Sequence, residues 1–407
     1  AVLEDVLRDA VRQRPAVRLY EGWTFEGLEQ DADGVTALLK DHGGRPARLR
    51  AAYLVGCDGA ASAVRSAAGI ATTLRGPVTQ HCDVYLRSAD PALRRYGRFF
   101  LAILASGLTL VSRDEHDTWT ATFPLPEDWP SGADPVAEVR RRLGVPIDIE
   151  EVINVAYWQG RLGVADRYRD GRVFLAGDSA HQFFPTGGHG ANTGIADAVD
   201  LGWKLAGRLA GWAGPALLAS YALERRPVAL FNREMCANLL DVWRRFPALA
   251  GDGATDAQLA GFLEQDAYQI DNLGIHCGYR YDGSPVIWPE QGRPPAWRWR
   301  EIVPATWPGA RVPSLRLANG AGLHGRLGQG FTMVDFSTEK RGGAAVELAS
   351  ARGIPMDHLV LDDSLARRIW QRDLVLVRPD QHVAWRGDAA SDWGAILDRV
   401  TGWAEGR

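Results

Sequence analysis

The stretch from residue 171 to residue 209 constrains the fold more than any other part of the sequence. An apolar run at 173–176 has the composition of a buried strand and leads to a single carboxylate, Asp178. A turn dense in glycine follows, and apolar residues then recur at helical spacing from about Ile195 to Leu209. A strand that ends at an acidic residue and is followed by a glycine-rich turn and a helix N-terminus is typical of a site for an anionic, polyhydroxylated ligand. The carboxylate accepts from sugar hydroxyls, and bare backbone N–H groups face phosphate or an electron-rich ring.

A series of short motifs keeps a fixed spacing through this stretch. It consists of GD at 177–178, AH at 180–181, Pro185, GGHGAN at 187–192 and DAVDLGWKLA at 197–206. This frame resembles the second FAD fingerprint of the aromatic-hydroxylase flavoprotein monooxygenases. That family usually has two prolines before the glycines. Phe184 takes the place of the first proline here, which predicts a reshaped cavity near the flavin.

The resemblance implies a flavin role for the acid and for the glycine turn. Asp178 is expected to hydrogen-bond the ribityl chain near its 3′-hydroxyl, and the turn to place backbone N–H groups against the flavin pyrimidine edge. The alternatives are an acid that only stabilises the helix dipole, worth about 0.3–1 kcal/mol, and a glycine turn without a ligand. The cofactor-binding residues predicted in this stretch are Gly177, Asp178, Gly187, Gly188, Gly190, Ala191 and Asn192.

An apolar run leads into a second motif, D-G-x-x-S-x-x-R, at residues 58–65. Asp58 and Gly59 are predicted to form a turn, and Ser62 to cap the helix that carries Arg65. The motif resembles the family's DG segment, which lies beside the flavin and the approach of the nicotinamide. Asp58, Gly59 and Arg65 are therefore further cofactor-binding candidates. Arg65 has a second interpretation, as an ion-pairing residue on a helix surface.

Two residues of the glycine turn are candidates for a direct part in the reaction. Pro185 is expected to stiffen the loop that faces the flavin. His189 stands between two glycines, where an imidazole near flavin can orient substrate or hold a phenolate by charge. A solvent-facing loop histidine is the alternative. His181 is interpreted as structural, and Glu224 with the arginines at 225–226 as an ion-pair group on a helix.

Further matches at 221–227, 278–285 and 376–386 extend the resemblance over nearly the whole chain, in the family's order. The sequence is identified as a member of this flavoprotein hydroxylase family. The implied fold class is α/β, with a glutathione-reductase-like FAD-binding domain, an antiparallel β-sheet substrate domain and a C-terminal thioredoxin-like domain. The predicted boundaries are 1–75 and 161–290 for the two parts of the FAD-binding domain, 76–160 for the substrate domain and 291–407 for the C-terminal domain.

Local patterns support this division. β-branched and aromatic residues predict an antiparallel sheet in the substrate domain. Its strands are expected at 82–87, 98–104, 108–112 and 118–123. Helices are expected at about 135–143, 195–211 and 215–243, and the tail is expected to alternate strands at 331–335 and 374–378 with helices at 342–353 and 393–403. The tail has no cysteine, which excludes thiol exchange there and favours a structural or dimerising role.

The family's first fingerprint, G-x-G-x-x-G on an opening strand–turn–helix, is absent from this sequence. That loop cradles the ADP pyrophosphate of FAD. Apolar residues already recur at helical spacing from the start of the chain, at Val2, Leu3, Val6, Leu7 and Val11. Residues 1–407 are therefore expected to be part of a longer enzyme or a natural remnant that has lost flavin binding. This segment alone is predicted not to hold FAD tightly.

Composition argues against several other classes. A net charge of −4 without a basic block argues against a nucleic-acid partner. No apolar run approaches the roughly 20 residues that span a bilayer, so no membrane partner is expected. Scattered cysteines without C-x-x-C spacing favour reduced core thiols in a cytoplasmic protein and no metal site. They are Cys57, Cys82, Cys236 and Cys277.

The reaction implied by the resemblance is NAD(P)H- and O2-dependent hydroxylation of an aromatic substrate through a flavin C4a-hydroperoxide. FAD is the expected cofactor and NADPH or NADH the co-substrate. The expected partners are O2 and a small phenolic or polycyclic, polyketide-like molecule, with a homodimer left open and bacterial antibiotic biosynthesis as the setting. Two alternatives remain: a Baeyer–Villiger or decarboxylative oxygenase on the same scaffold, and a non-catalytic remnant that binds an aromatic ligand or a partner.

Overall fold

The computed structural model describes residues 2–95, 97–266, 271–390 and 392–403, which form two compact units. The first unit comprises the chain up to Ala71 together with Ala165–Ala180, and the second comprises Thr72–Val164 and the chain from His181 onward. Helices and strands are numbered in chain order across both units. The boundaries between FAD-binding, substrate and C-terminal domains stay a prediction.

The first unit holds two small sheets and two helices. Its elements are α1 (Val2–Arg12), β1 (Thr24–Gln30), β2 (Val35–Lys40), β3 (Pro46–Ala51), β4 (Leu54–Gly56), α2 (Ala63–Ala67), β12 (Arg169–Asp170) and β13 (Val173–Leu175). Strands β1, β2 and β3 form an antiparallel sheet in that order. In the second sheet β13 lies in the centre, parallel to β4 and antiparallel to β12.

The apolar strand predicted before the acid is confirmed, because all three residues of β13 are fully buried. Its neighbour β4 packs closely on α2: a Cβ added at Gly56 would lie 2.8 Å from Val64 Cβ. The helical spacing at the start of the chain is confirmed as well. No residue of α1 is buried, and its apolar side chains, such as Val2 at 80% exposure, face outward.

The N-terminal part of the second unit is built on a five-stranded antiparallel sheet in the order β10-β6-β9-β8-β7. Its elements are β5 (Thr72–Leu74), β6 (Thr79–Arg87), β7 (Leu101–Ile103), β8 (Thr109–Ser112), β9 (Thr118–Pro124), α3 (Pro135–Leu143), β10 (Glu151–Gly160), β11 (Gly163–Ala165) and β14 (His181–Gln182). Asp134 caps α3 and the left-handed Gly144 ends it. The antiparallel sheet and α3 are confirmed, whereas β10 was not expected.

Four helices follow in the second unit: α4 (His189–Leu209), α5 (Pro215–Gly251), α6 (Asp256–Asp266) and α7 (Leu273–Cys277). Helix α4 begins at His189, earlier than the apolar spacing predicted, because its first turn contains a single small apolar residue, Ala191, and so carries no apolar periodicity. Helix α5 continues beyond its expected end and contains Pro227 and Pro247 in its interior.

The C-terminal part of the second unit is an α/β layer. Its elements are β15 (Phe331–Asp335), α8 (Gly343–Ala351), β16 (Met356–Val360), α9 (Ser364–Trp370), β17 (Leu374–Val377), β18 (Val383–Gly387) and α10 (Trp393–Val400). The sheet order is β16-β15-β17-β18, with β15 and β16 parallel and the remaining pairs antiparallel. This βαβ unit followed by a hairpin and a helix is the expected thioredoxin-like arrangement, and the α/β fold class is confirmed.

The cysteines are free thiols in different environments. Cys82 and Cys236 are buried in the second unit, as expected of core thiols. The expectation is wrong for Cys57, which is exposed because it follows directly on β4 in the turn of the DG motif. Among the helices of the described ranges, none has the length and the apolar character needed to cross a bilayer.

Candidate functional site

The predicted ribityl-binding acid lies at the tip of β13 in the first unit. Gly177, in a left-handed conformation, opens a 3-10 turn over Gly177–Ser179. The buried Ser179 Oγ lies 2.6 Å from the backbone carbonyl of Gly56 in β4 and fixes the turn to the sheet. Asp178 is exposed in this turn, and within the described ranges its carboxylate has no hydrogen-bond or ion-pair partner. It is therefore available to a ligand.

The DG motif is organised around the start of α2. Ser62 caps the helix as predicted, accepting from the Arg65 backbone N–H at 2.9 Å. The Asp58 carboxylate accepts from Ser62 Oγ at 2.5 Å and from the Val64 backbone N–H at 3.0 Å. Asp58 therefore has a local capping role, which the motif alone did not indicate.

Arg65 connects the two motifs of the first unit. Its Nη1 donates to the Ser179 backbone carbonyl at 2.8 Å, and its Nη2 donates to the Ala60 carbonyl at 2.9 Å. Neither interpretation from the sequence contained these carbonyl contacts, and the Ser179 contact joins residues that are 114 positions apart. Flavin or nicotinamide contact by Asp58, Gly59 and Arg65 stays a prediction.

The glycine turn lies in the second unit and leads into α4. Gly187 and Gly188 both have left-handed backbones, with φ of 76° and 68°. The Gly187 carbonyl accepts from Asn272 Nδ2 at 2.9 Å and from His276 Nε2 at 3.1 Å, and Asn192 Nδ2 donates to the Gly188 carbonyl at 2.8 Å. Asn272 and His276 therefore fix the turn from the side of α7, whereas Asn192 lies on the turn itself.

The opposite side of the turn is open. A Cβ added at Gly190 would meet nothing within 4 Å, and at Gly188 its nearest neighbour would be Asn192 Nδ2 at 3.9 Å. At Gly187 the added atom would lie 2.5 Å from His189 Nε2. A turn with free space before its first helical N–H groups fits the approach of a flat, electron-rich ring. Ala191 and Asn192 are exposed on the same turn.

His189 is fully buried, so the solvent-facing alternative does not describe it. Its ring lies 4.8 Å from the ring of His276, and neither ring nitrogen has a partner in the described part of the chain. Burial and the nearby His276 lower the pKa of His189 to about 4. The ring is uncharged at neutral pH, so it cannot hold a phenolate by charge there. Any part in orienting substrate stays a prediction.

His181 and α4 belong to a buried polar network in the second unit. His181 Nε2 lies 2.8 Å from Asp197 Oδ2, and Asp197 Oδ1 accepts from Arg225 Nε at 2.8 Å. Burial alone would raise the pKa of Asp197, but Arg225 and His181 outweigh it and hold that pKa below its ordinary value. His181 therefore has the structural partner that was expected of it.

A second buried network joins α4 and α5 to the thioredoxin-like part. Arg378 Nη1 and Nη2 donate to the two carboxylate oxygens of Glu224 at 2.7 and 2.8 Å. Its guanidinium also contacts Asp200 at 2.9 Å and Asp380 at 2.5 Å, and Lys204 Nζ donates to Asp200 at 2.8 Å. Glu224 is ion-paired, but with Arg378 and Lys204. Of the two arginines expected beside it, Arg225 pairs with Asp197 instead.

A cavity of about 360 Å³ lies in the second unit, with walls from the antiparallel sheet, the glycine turn and α5. The turn contributes Phe184, Pro185 and Thr186. The sheet contributes His81 and Trp158 among other residues, and Arg244 comes from α5. Phe184, which replaces the usual proline, lines this cavity, and its effect on the cavity near the flavin stays a prediction. His81, Trp158 and Arg244 were missed, because no local motif marks them.

Comparison with known proteins agrees with this geometry. Residues 1–232 match the model of the FAD binding domain family, and residues 305–404 match the aromatic-ring hydroxylase C-terminal family. A FAD-dependent monooxygenase of Emericella nidulans, apdD, is 31% identical over 445 residues, covering 100% of this chain and 71% of the relative. A putative polyketide hydroxylase of Streptomyces halstedii is 32% identical and covers 94% of this chain and 73% of its own length.

A solved structure supports the same assignment. The flavin-dependent monooxygenase PieE, in complex with FAD and substrate, superposes with a TM-score of 0.89 at 28% identity, covering 99% of this chain and 79% of PieE. The fold, the two motifs and these matches define a flavoprotein oxygenase. The chain belongs to the family of FAD-dependent aromatic-ring hydroxylases.

Proposed function

We propose that this protein hydroxylates a planar phenolic polycycle of polyketide type, with NADPH or NADH as reductant and O2 as the oxygen source. The observation that carries the proposal is the cavity of about 360 Å³ between the sheet and the glycine turn. Its volume is within the range of small-molecule sites, and its walls are mainly apolar and aromatic. The similarity to a putative polyketide hydroxylase supports this substrate class.

The residues of this chain bind the cofactor and exclude water in this proposal. When FAD is bound, it supplies the oxygen chemistry. Asp178 accepts from the ribityl hydroxyls, and the N–H groups of the turn at 187–192 face the pyrimidine edge. Phe184 and Pro185 line the cavity and keep water from the substrate ring. We further propose that the protein is cytoplasmic, acts in bacterial secondary metabolism and forms a homodimer.

The complete gene product that contains residues 1–407 provides the direct test. We expect a flavin absorbance spectrum and slow NADPH or NADH oxidation that a hydroxylated anthraquinone stimulates at least tenfold, with a hydroxylated product. Hydrogen peroxide without hydroxylated product, whatever polycyclic phenol is supplied, would contradict the proposal. Absence of flavin uptake would favour the non-catalytic remnant.

A variant of the cavity wall makes this test specific. Ile103, at the end of β7, lines the cavity, so Ile103→Trp should place an indole ring where the substrate lies. We expect stimulation by the phenol to fall at least tenfold while the flavin spectrum is unchanged. Leu365→Trp, at an exposed position of α9, is the matched control and should retain full stimulation. Equal stimulation in both variants would place the substrate elsewhere.

Asp178→Asn should weaken flavin binding without weakening the fold. Its carboxylate has no partner in the described ranges, so the substitution removes no intramolecular contact. A hydrogen bond to a charged group is worth about 1.5–3 kcal/mol, so we expect flavin to bind about 10- to 100-fold more weakly. Quenching of flavin fluorescence measures this affinity. Asp33→Asn, in an exposed turn of the same unit, is the control. A flavin affinity in Asp178→Asn equal to the control would remove the ribityl role.

A further inference from the structure

Strand β6 contributes two polar side chains, Thr79 and His81, to the wall of the cavity. Side chains alternate along this strand, so that Cys82 and Val84 are fully buried in the core under α3. His81 points to the other face and lines the cavity. Asp83 shares that alternate face and accepts from Thr122 Oγ1 at 2.8 Å. The strand therefore brings one imidazole to an otherwise largely apolar and aromatic site.

The His81 ring is held in place on three sides. Trp158 stacks on it, with ring centroids 4.4 Å apart and planes 15° from parallel, and Phe184 packs edge-on at 5.5 Å. Thr79 Oγ1 lies 2.9 Å from His81 Nε2. The other ring nitrogen, Nδ1, has no hydrogen-bond partner within the described residues. A fixed imidazole with one unused nitrogen can accept a proton from a ligand in the cavity.

Trp158 is itself positioned by an acid. Its Nε1 donates to Asp83 Oδ1 at 2.9 Å, which fixes the indole plane against which the imidazole stacks. Asp83 and Trp158 therefore act on the ligand through His81 and are positioning residues. All of these contacts lie within the second unit.

The surroundings of His81 favour a neutral imidazole, chiefly because the ring is largely buried. Burial lowers the pKa of His81; Asp83, on the same strand, opposes this effect, and Arg244 of α5 adds to it. The groups that pack on the ring from β10 and the glycine turn, Trp158 and Phe184, are uncharged. Arg244 makes no ion pair or hydrogen bond within the described part of the chain, so its charge is available to an anion in the cavity.

We propose that His81 accepts the proton of the substrate's phenolic hydroxyl, and that Arg244 stabilises the phenolate that results. The O–H bond breaks with its electron pair remaining on oxygen, and the proton passes to Nδ1 while Nε2–H donates to Thr79 Oγ1. A phenolate carries more electron density into the ring than a phenol, which is the form that an electrophilic oxygen donor attacks. This inference rests on the proposed function, because it requires a phenol in the cavity.

The ionisation of a bound dye tests the inference without turnover. Alizarin, a dihydroxyanthraquinone whose phenolate absorbs at longer wavelength than its phenol and than oxidised flavin, is titrated with the chain one pH unit below the dye's own midpoint. We expect bound dye to show a phenolate-to-phenol ratio at least tenfold above that of free dye. In His81→Phe, which keeps the aromatic stack, and in His81→Gln, which keeps a partner for Thr79, the ratio should fall at least fivefold toward that of free dye, with Arg244 accounting for what remains. His116→Phe, at an exposed turn before β9, should behave as the unsubstituted chain.

The outcomes of this titration test the role of His81 and the proposed hydroxylase function separately. Binding of alizarin with the same raised ratio in the His81 variants overturns the inference and leaves the proposed function standing. Loss of the raised ratio only in Arg244→Met overturns it as well, because the guanidinium charge alone would then explain ionisation. Failure of the unsubstituted chain to bind any alizarin overturns both.

Discussion

In the complete gene product, Gly190→Ala is expected to weaken flavin binding while leaving the protein folded. Gly190 lies in the first turn of α4 with helical backbone angles, and a Cβ at this position would meet nothing within 4 Å. Alanine is a better helix former than glycine by about 0.8–1 kcal/mol, so the fold should become no less stable. The open space is where the proposal places the flavin pyrimidine edge, and a methyl group there blocks close approach of the ring to the backbone. We expect at least tenfold weaker flavin binding.

A second glycine in a helix provides the matched control. Gly261 in α6 also has open space around an added Cβ, and it lies outside the glycine turn. Gly261→Ala should therefore keep both the fold and the flavin. The measurements are flavin fluorescence titration for affinity and circular dichroism for helix content. Equal flavin affinity in the two variants would show that the space before Gly190 is not where the flavin binds.

Gly187→Ala would not separate these effects. Gly187 has a φ of 76°, and an added Cβ would lie 2.5 Å from the buried ring of His189. Flavin loss in that variant would follow from a distorted turn whether or not the turn touches flavin. The comparison of Gly190 with Gly261 avoids this ambiguity because neither position is strained.

The motifs with fixed spacing were predictable from the sequence, because their function depends on local geometry. The strand before Asp178, the cap at Ser62 and the helix after the glycine turn all follow from neighbouring residues. The antiparallel strands were predictable for the same reason, since β-branched and aromatic residues mark them locally. Their order in the sheet depends on tertiary pairing, which leaves no local pattern.

The residues of the cavity and of the buried ion network could not be predicted in this way. His81 and Arg244 are 163 positions apart by residue number, and each looks like an ordinary surface residue in its own segment. Glu224 and Arg378 are 154 positions apart. His189 was given a role from its place between glycines, but burial of its ring depends on α7 packing behind the turn. The burial and the partners of these residues are set by tertiary packing, which leaves no local pattern in the sequence.

The buried network around Arg378 leads to the second large expected effect. Arg378, Lys204, Asp200 and Glu224 have fully buried side chains, and Asp380 is almost fully buried. Three carboxylates face two cations, so removing one cation leaves buried negative charge without compensation. Arg378→Met should therefore destabilise the second unit by about 3–5 kcal/mol, as expected for breaking one side of a buried ion pair.

Arg341→Met is the control for that variant. Arg341 pairs with Asp373 in the same α/β part, but 40% of its side chain is exposed to solvent. Exposed pairs contribute about 0–1 kcal/mol, so this substitution should change stability little. Urea denaturation followed by tryptophan fluorescence measures both, since Trp203 lies under the Arg378 guanidinium at 5.1 Å. A loss below about 1 kcal/mol in Arg378→Met would show that the network does not hold the C-terminal part to α4 and α5.

The pH dependence of stability provides an independent check on the same network. Burial alone would raise the pKa of Glu224, but Arg378 and Lys204 outweigh it and lower that pKa to about 2 from an ordinary value of 4.5. A folded-state pKa below the unfolded one contributes stability above about pH 4.5, and this contribution is lost as the pH falls toward 2. Burial and the neighbouring carboxylates raise the pKa of Asp200, so its proton uptake acts in the opposite direction.

In Arg378→Met the Glu224 carboxylate loses its bidentate partner and takes up its proton at higher pH. The drop in urea midpoint between pH 5 and pH 3 should therefore be smaller in the variant than in the unsubstituted protein, and an equal drop would mean that Glu224 does not depend on Arg378 for its charge.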